Sequence, residues 1–302
     1  MRRFAVVFFG LMMMASAMVT GGGLLASPAE GLRADTATLT GTGGATSQRS
    51  ARQFASSSPG YVLAAADGGI FAFGRAFHGS AAGLALRAPI AGIAATPDGG
   101  GYWLVAADGG VFAFGDAHFY GSITGITLNN PVEGIAATPD GGGYWLVASD
   151  GGVFAFGDAH FHGRLRLLAP VVGIATTGDG NGYWLLTDNR QAFPFGDALA
   201  VLPTPFNYGY VAIARISGTT RGIVVVNIDG TRYTFNAKDA GCPPISPVAP
   251  AMNAGIVGIA TVAPHCGEWL AGWDGGVFAF GAPFLGSAAS LRLVARVVGI
   301  AS

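Results

Sequence analysis

Two histidines lie at equivalent positions of a duplicated stretch, and their side chains are among the few here that could do chemistry. His118 belongs to "GYWLVAADGGVFAFGDAHFYGS" and His160 to "GYWLVASDGGVFAFGDAHFHGR", one repeat later. Imidazole nitrogens bind zinc and transfer protons near neutral pH. However, duplication by itself places equal residues at equal positions, so the match is weak support for a metal site. The sequence predicts neither a metal nor another cofactor.

Four further residues are weak candidates for ligand contacts: Tyr120, His162, Arg164 and Lys238. Tyr120 and His162 occupy one position of the repeat, just before a glycine. Arg164 follows the second copy and could contact an anionic polymer, although a solvated position on an outer strand explains it equally well. Lys238 is the only lysine and lies in a Pro-rich interruption, residues 236–255, which is the longest break in the repeats. Loops on a rigid scaffold often carry function.

The motifs of known catalytic sites are absent from the sequence. It contains no GxSxG elbow, Walker loop, HExxH helix or Cys/His zinc spacing. We therefore predict no catalytic residues and a secreted, non-catalytic binding or scaffold module. A structural envelope component without a soluble ligand is the alternative. A hydrolase acting on a glycan or lactone would need several converging acids or histidines, and the predicted inner strands offer only Glu133.

The duplicated stretch is one of six related units, and these determine the predicted fold. The units begin at Tyr61, Tyr102, Tyr144, Tyr183, Ile223 and Glu268. Each contains a "YWLVA"-type strand and a "VFAFG"-type strand, and a "GIA"-type strand precedes five of the six units; Asp-Gly turns between the strands favour hairpins. A weaker fourth strand is expected at segments such as Ser122–Leu128. Four short strands in about 40–45 residues match one blade of a β-propeller.

The two ends of the repeat array complement each other. The first unit starts at Gly60 without a "GIA" strand, whereas residues 297–302, "VVGIAS", are a "GIA" strand with no unit after it. We therefore predict an all-β, six-bladed β-propeller over residues 60–302, closed by the C-terminal strand pairing with the first blade. The repeated tyrosine, tryptophan and phenylalanine residues are expected to fill the wedges between blades rather than form a ligand-binding face.

The N-terminus has the layout of a secretory signal. Arg2 and Arg3 precede an apolar run and then small residues. Residues 1–29 are predicted to be a signal peptide cleaved near residue 17 or 29, with an uncleaved membrane anchor as the alternative. Residues 30–59 are predicted to be a flexible, low-complexity linker. The net charge of −1 argues against a nucleic-acid partner.

The chain has two cysteines, Cys242 and Cys266. An exported protein reaches an oxidising compartment, where a pair of cysteines favours a disulfide. Both residues are expected in connections on the same face of neighbouring blades. A Cys242–Cys266 disulfide is therefore predicted, and it would tie down the Pro-rich interruption.

The phrases "GYWLVASDGGVFAFGDA" and "GIAATPDGGGYW" resemble repeat arrays in secreted or surface proteins of Actinobacteria. The resemblance covers roughly residues 60–302 and is strongest from Pro89 to Gly163. It implies an extracytoplasmic location in a surface or wall context, and it carries no known catalytic residues. Cell-wall polysaccharide or another surface protein is the expected partner of a monomeric chain, with membrane contact only through an uncleaved anchor.

Overall fold

The structure is a computed structural model that describes residues 59–166, 169–201, 209–236, 254–262 and 267–302. The predicted signal peptide, the linker up to residue 58, Lys238, Cys242 and Cys266 lie outside these residues. The described residues contain no helix that could span a membrane.

The described segments form eighteen β-strands. They are β1 (Tyr61–Ala65), β2 (Ile70–Phe73), β3 (Ile90–Ala95), β4 (Gly101–Ala106), β5 (Val111–Gly115), β6 (Val132–Ala137), β7 (Gly143–Ala148), β8 (Val153–Gly157), β9 (Val171–Thr176), β10 (Gly182–Thr187), β11 (Ala192–Gly196), β12 (Tyr210–Arg215), β13 (Ile223–Asn227), β14 (Arg232–Phe235), β15 (Ile256–Val262), β16 (Gly267–Gly272), β17 (Val277–Phe280) and β18 (Val297–Ala301). The all-β prediction is confirmed.

The strands make six antiparallel sheets of three strands each. Sheet I contains β18, β1 and β2; sheet II β3–β5; sheet III β6–β8; sheet IV β9–β11; sheet V β12–β14; and sheet VI β15–β17. The first strand named in each sheet is its inner strand, followed by a middle and an outer strand. The C-terminal strand β18 pairs antiparallel with β1, in the register Val62 with Ala301 and Leu63 with Ile300.

Asp-Gly turns join the middle and outer strands, as the sequence predicts. In sheet II the Asp108 carboxylate accepts the Gly110 N–H at 3.0 Å, and Gly109 has a φ of 82°. Glycine adopts this left-handed conformation without the steric cost of a Cβ. In sheet IV, where the turn glycine is replaced, Arg190 takes the same conformation with a φ of 72°. The edge of the sheets that carries these turns is called the Asp-Gly-Gly edge below.

The predicted fourth strand is wrong for residues 122–128, which form turns instead of a strand. Gly125 has a φ of 92°, which interrupts an extended conformation. The Ile123 N–H donates to Gly109 O at 3.2 Å, and the Ile123 side chain is buried. The apolar residues of this segment therefore anchor the chain to the turn of its own sheet.

Aromatic side chains of the middle strands fill the space between sheets, which confirms the wedge prediction. Trp103 and Tyr144 are fully or almost fully buried, and their ring centroids lie 5.7 Å apart across sheets II and III. The Tyr144 hydroxyl also donates to Gly121 O at 2.6 Å in the segment that follows sheet II. Tyr61 makes the same 2.6 Å bond to Gly286 O, so sheets VI and I meet as sheets II and III do.

The inner strands contact one another in the order β3, β6, β9, β12, β15 and β18, and β18 contacts β3. Glycines allow this close approach. A Cβ at Gly258 would lie 3.0 Å from Ile300 Cγ2, and one at Gly299 would lie 3.2 Å from Ile93 Cγ2. The "GIA" glycines thus make room for the isoleucine of the next inner strand.

Candidate functional site

All six inner strands line a cavity of about 590 Å³, called the inner cavity below. It extends from the Asp-Gly-Gly edge to a ring of isoleucines, one from each inner strand, and each isoleucine is 6–9% exposed. These are Ile93, Ile135, Ile174, Ile213, Ile259 and Ile300. The isoleucines therefore form an apolar layer at the end of the cavity away from the Asp-Gly-Gly edge.

Each inner strand carries a β-bulge near its first residue, because its pairing with the middle strand skips one position. The skipped residues are Ala91, Glu133, Val172, Val211, Val257 and Val298, and all six line the inner cavity. Bulges leave one residue out of the ladder and change the direction of its side chain. One repeated irregularity of the backbone thus produces six equivalent lining positions.

Glu133 is the single acid among the described residues that line the inner cavity. Its five equivalents are alanine or valine. Burial raises the pKa of the Glu133 carboxyl above its ordinary value, because the charged form is poorly solvated there. In residues 59–166 and the other described segments, no side chain forms an ion pair with this carboxylate.

The rim of the cavity at the Asp-Gly-Gly edge contains Trp273 and Arg296. Trp273 follows β16 at the position that Ala66 and Ala107 hold after β1 and β4, and it is 46% exposed. Its backbone O accepts the Val297 N–H at 2.9 Å, which fixes the rim between sheets VI and I. Sequence reasoning missed Trp273, although an aromatic residue in place of a repeated alanine was a visible signal.

The candidate residues His118, Tyr120, His160 and His162 do not line the inner cavity. The two histidines chosen for metal chemistry are exposed, and their backbone O atoms each accept a tryptophan Nε1–H, from Trp103 and Trp145, at 2.7 Å. His118 contacts the Tyr120 ring at 4.9 Å between centroids, and the His162 ring lies 5.6 Å from that of Tyr183.

The structure does not bring these candidates into one site. His118 and Tyr120 follow sheet II, whereas His160, His162 and the exposed Arg164 follow sheet III. Among the described residues, no group of three or more histidine, cysteine or acidic side chains could hold a metal ion. The contacts that are present attach the outer segments to the middle strands.

Four phenylalanines beside these candidates form a second candidate site that the sequence analysis missed. Phe77, Phe119, Phe161 and Phe284 are 60%, 51%, 57% and 60% exposed. They follow the outer strands of sheets VI, I, II and III, which are neighbours in the order in which the inner strands contact one another. These four residues are called the phenylalanine belt below. Their recurrence in "AFHGS", "HFYGS", "HFHGR" and "PFLGS" was the available signal.

The phenylalanine belt lies at the edge opposite the Asp-Gly-Gly turns. The outer strand of sheet II ends beside the turn between its inner and middle strands, where the Asp116 N–H donates to Gly100 O at 3.2 Å. Phe119 follows three residues later. The described chain also begins at this edge, since Pro59 and Gly60 immediately precede β1. The two candidate sites therefore occupy opposite edges of the sheets.

The chain was compared with known families, curated proteins and solved structures. No family model matches it, and no curated protein does. Among solved structures, the β-propeller domain of Cps50 (Swd1) from Myceliophteria thermophila is similar, at 12% identity and a TM-score of 0.46. That match covers 72% of this chain and 78% of the other.

Replacing Glu133 by glutamine should remove a pH dependence of stability. The folded-state pKa of Glu133 is raised, so its contribution to stability is full below about pH 4.3, the ordinary glutamate pKa, and is lost as the pH rises through the folded value. We expect E133Q to melt above the wild type at pH 8 and the difference to vanish near pH 4. Melting temperatures of both proteins measured across this pH range test the prediction. A difference between the two melting temperatures that does not change with pH would contradict it.

Proposed function

We propose that the chain is a closed six-bladed β-propeller that acts outside the cell as a non-catalytic binding module at the cell surface or wall. The six sheets would be the blades, and strand β18 would close the ring by pairing with β1. Tyrosine–tryptophan ring contacts join sheets VI and I, II and III, and III and IV, and they would help to make the blades a rigid scaffold for surface residues. Cell-wall polysaccharide or another surface protein is the proposed partner.

The phenylalanine belt is the observation that supports binding most directly. Large apolar side chains at repeated, half-exposed positions cost solubility and contribute little to a core. Buried aromatic residues already fill the wedges of the same sheets, so the exposed rings are not required for packing. Their repetition on consecutive sheets suits a partner that is itself extended or repetitive, such as a polysaccharide chain.

The inner cavity supports binding rather than hydrolysis. A general acid and base pair requires two titratable groups near one bond. In the described lining, Glu133 is the single carboxylate, and Arg296 is the other charged residue. The exported location is proposed on the N-terminal sequence and on the resemblance to surface repeat proteins.

Binding to insoluble wall material tests this proposal. We expect the purified chain to sediment with peptidoglycan or wall polysaccharide, and the double variant with Phe119→Ser and Phe161→Ser to bind about tenfold more weakly, as expected for two contact residues of about 1 kcal/mol or less each. A matched control replaces Leu84 and Ile126, which are 55% and 62% exposed, by serine. Both double variants should melt like the wild type.

Three results would contradict the proposed function. The wild-type chain would fail to sediment with either wall fraction, or both serine double variants would lose binding equally. Release of soluble sugar from the wall fraction during the assay would show hydrolysis and exclude the non-catalytic proposal. A structural envelope component without a soluble ligand predicts no saturable binding at all.

A further inference from the structure

We propose that the inner cavity binds a primary alkylammonium group, with Glu133 as its counter-ion. The cavity lies at a different edge from the phenylalanine belt and involves different residues. Its six equivalent bulge positions carry five alanine or valine side chains and one carboxylate.

The surroundings of Glu133 favour an organic cation. The side chains of Ala91, Val172 and the isoleucine ring line the cavity with it, so the half-buried carboxylate has aliphatic neighbours. Its pKa is raised by burial alone, with no neighbouring positive charge acting on it. A ligand ammonium group would supply the missing positive charge and hydrogen-bond donors, while its alkyl chain would contact the aliphatic wall.

The size of the cavity fits a small ligand. Its volume of about 590 Å³ lies within the range of roughly 300–1,000 Å³ that is common for small-molecule sites. At the rim, the half-exposed indole of Trp273 offers an apolar face. Arg296 at the same rim would repel a second positive charge, so the site should prefer a monoamine to a diamine of equal length.

Other ligand classes fit these residues less well. Calcium takes six to eight oxygen ligands and magnesium demands octahedral coordination, whereas this lining contributes one carboxylate. An anion would be repelled by Glu133. An uncharged apolar molecule would fill the cavity but leave the carboxylate without a partner, which is costly in apolar surroundings.

Calorimetric titration of the full chain at pH 8 with n-pentylamine tests the proposal, with n-pentanol as an uncharged ligand of similar shape. We expect the wild type to bind the ammonium ion about tenfold more tightly than the alcohol, as for one charged hydrogen bond. E133Q should lose this preference. The matched variant R296Q, which removes the other charge of the cavity, should bind the ammonium ion as tightly as the wild type or more tightly.

Three outcomes would overturn the inference, and the first two are equal binding of amine and alcohol by the wild type and equal amine binding by the wild type and E133Q. Loss of amine binding in R296Q as well would indicate a general disturbance of the cavity and also overturn it. Wall sedimentation of E133Q separates this result from the proposed function. Glu133 is not part of the phenylalanine belt, so E133Q should sediment like the wild type whichever way the titration ends.

Discussion

A chain that lacks residues 297–302 should aggregate or lose cooperative unfolding. Strand β18 is the inner strand of sheet I, and Val297 is fully buried while Ile300 is 7% exposed. Burial of each such side chain contributes about 1.5–3 kcal/mol. The deletion would also expose the backbone of β1, and an unpaired edge strand invites association with other chains. The combined loss is a large part of the roughly 5–15 kcal/mol that stabilises a typical domain.

Thermal melts and size-exclusion chromatography check this expectation. As a control, Val294→Ser changes a side chain three residues upstream that is 93% exposed, and it should leave the melt unchanged. A permuted chain that carries residues 297–302 before Tyr61, joined by a Pro-Asp-Gly-Gly turn, should regain the cooperative melt because β18 and β1 are antiparallel neighbours. A truncated protein that melts like the full chain would show that the pairing of β18 with β1 is not needed for stability.

Replacing Glu268 by alanine should destabilise the protein by about 3–5 kcal/mol, the usual cost of leaving a buried charge without its partner. Glu268 stands in sheet VI where Tyr102 stands in sheet II. Its carboxylate lies 2.9 Å from Arg232 Nη1 of sheet V, and the side chains are 4% and 6% exposed. The Arg232 guanidinium also lies 3.6 Å above the Phe280 ring centroid.

A double variant separates the contribution of the two charges from that of the volume that their side chains fill. Arg232→Met with Glu268→Leu removes both charges and keeps apolar bulk, so it should recover most of the stability lost in E268A. Urea unfolding of the wild type, the single variant and the double variant measures the coupling. If E268A costs less than about 1 kcal/mol, the pair contributes no more than an exposed salt bridge and the interpretation fails.

Much of the local structure could be predicted from the sequence, because it depends on neighbours along the chain. Asp108 and Gly109 specify a turn by their own conformational preferences, and the short apolar runs between the turns indicate strands. The prediction failed at Ile123, where the residues are also apolar. An isoleucine at this position would be buried both in a fourth β-strand and in a segment that packs against the Asp-Gly turn. Gly125 was the local signal that distinguishes these two conformations.

The candidate sites could be predicted less well. Phe119 and Tyr102 are both aromatic residues of the repeat, yet one is 51% exposed and the other is buried. His118 and Tyr120 were candidates because their chemistry is versatile, but exposure and a shared edge single out the phenylalanine between them. Exposure depends on which sheet packs against which, and this is a property of the assembled ring of contacts.

By itself, the sequence determined the three strands of each sheet and the Asp-Gly turns, because these are encoded within one repeat, and it determined the number of repeats, which can be counted directly. The pairing of β18 with β1 could also be predicted, from the complementary ends of the repeat array. Only the tertiary structure decided two things: the ion pair between Arg232 and Glu268, and the position of Glu133 in the inner cavity. Each joins residues far apart in the chain or depends on a bulge. Local propensity does not encode such contacts, because their energies exist only when all six sheets are packed.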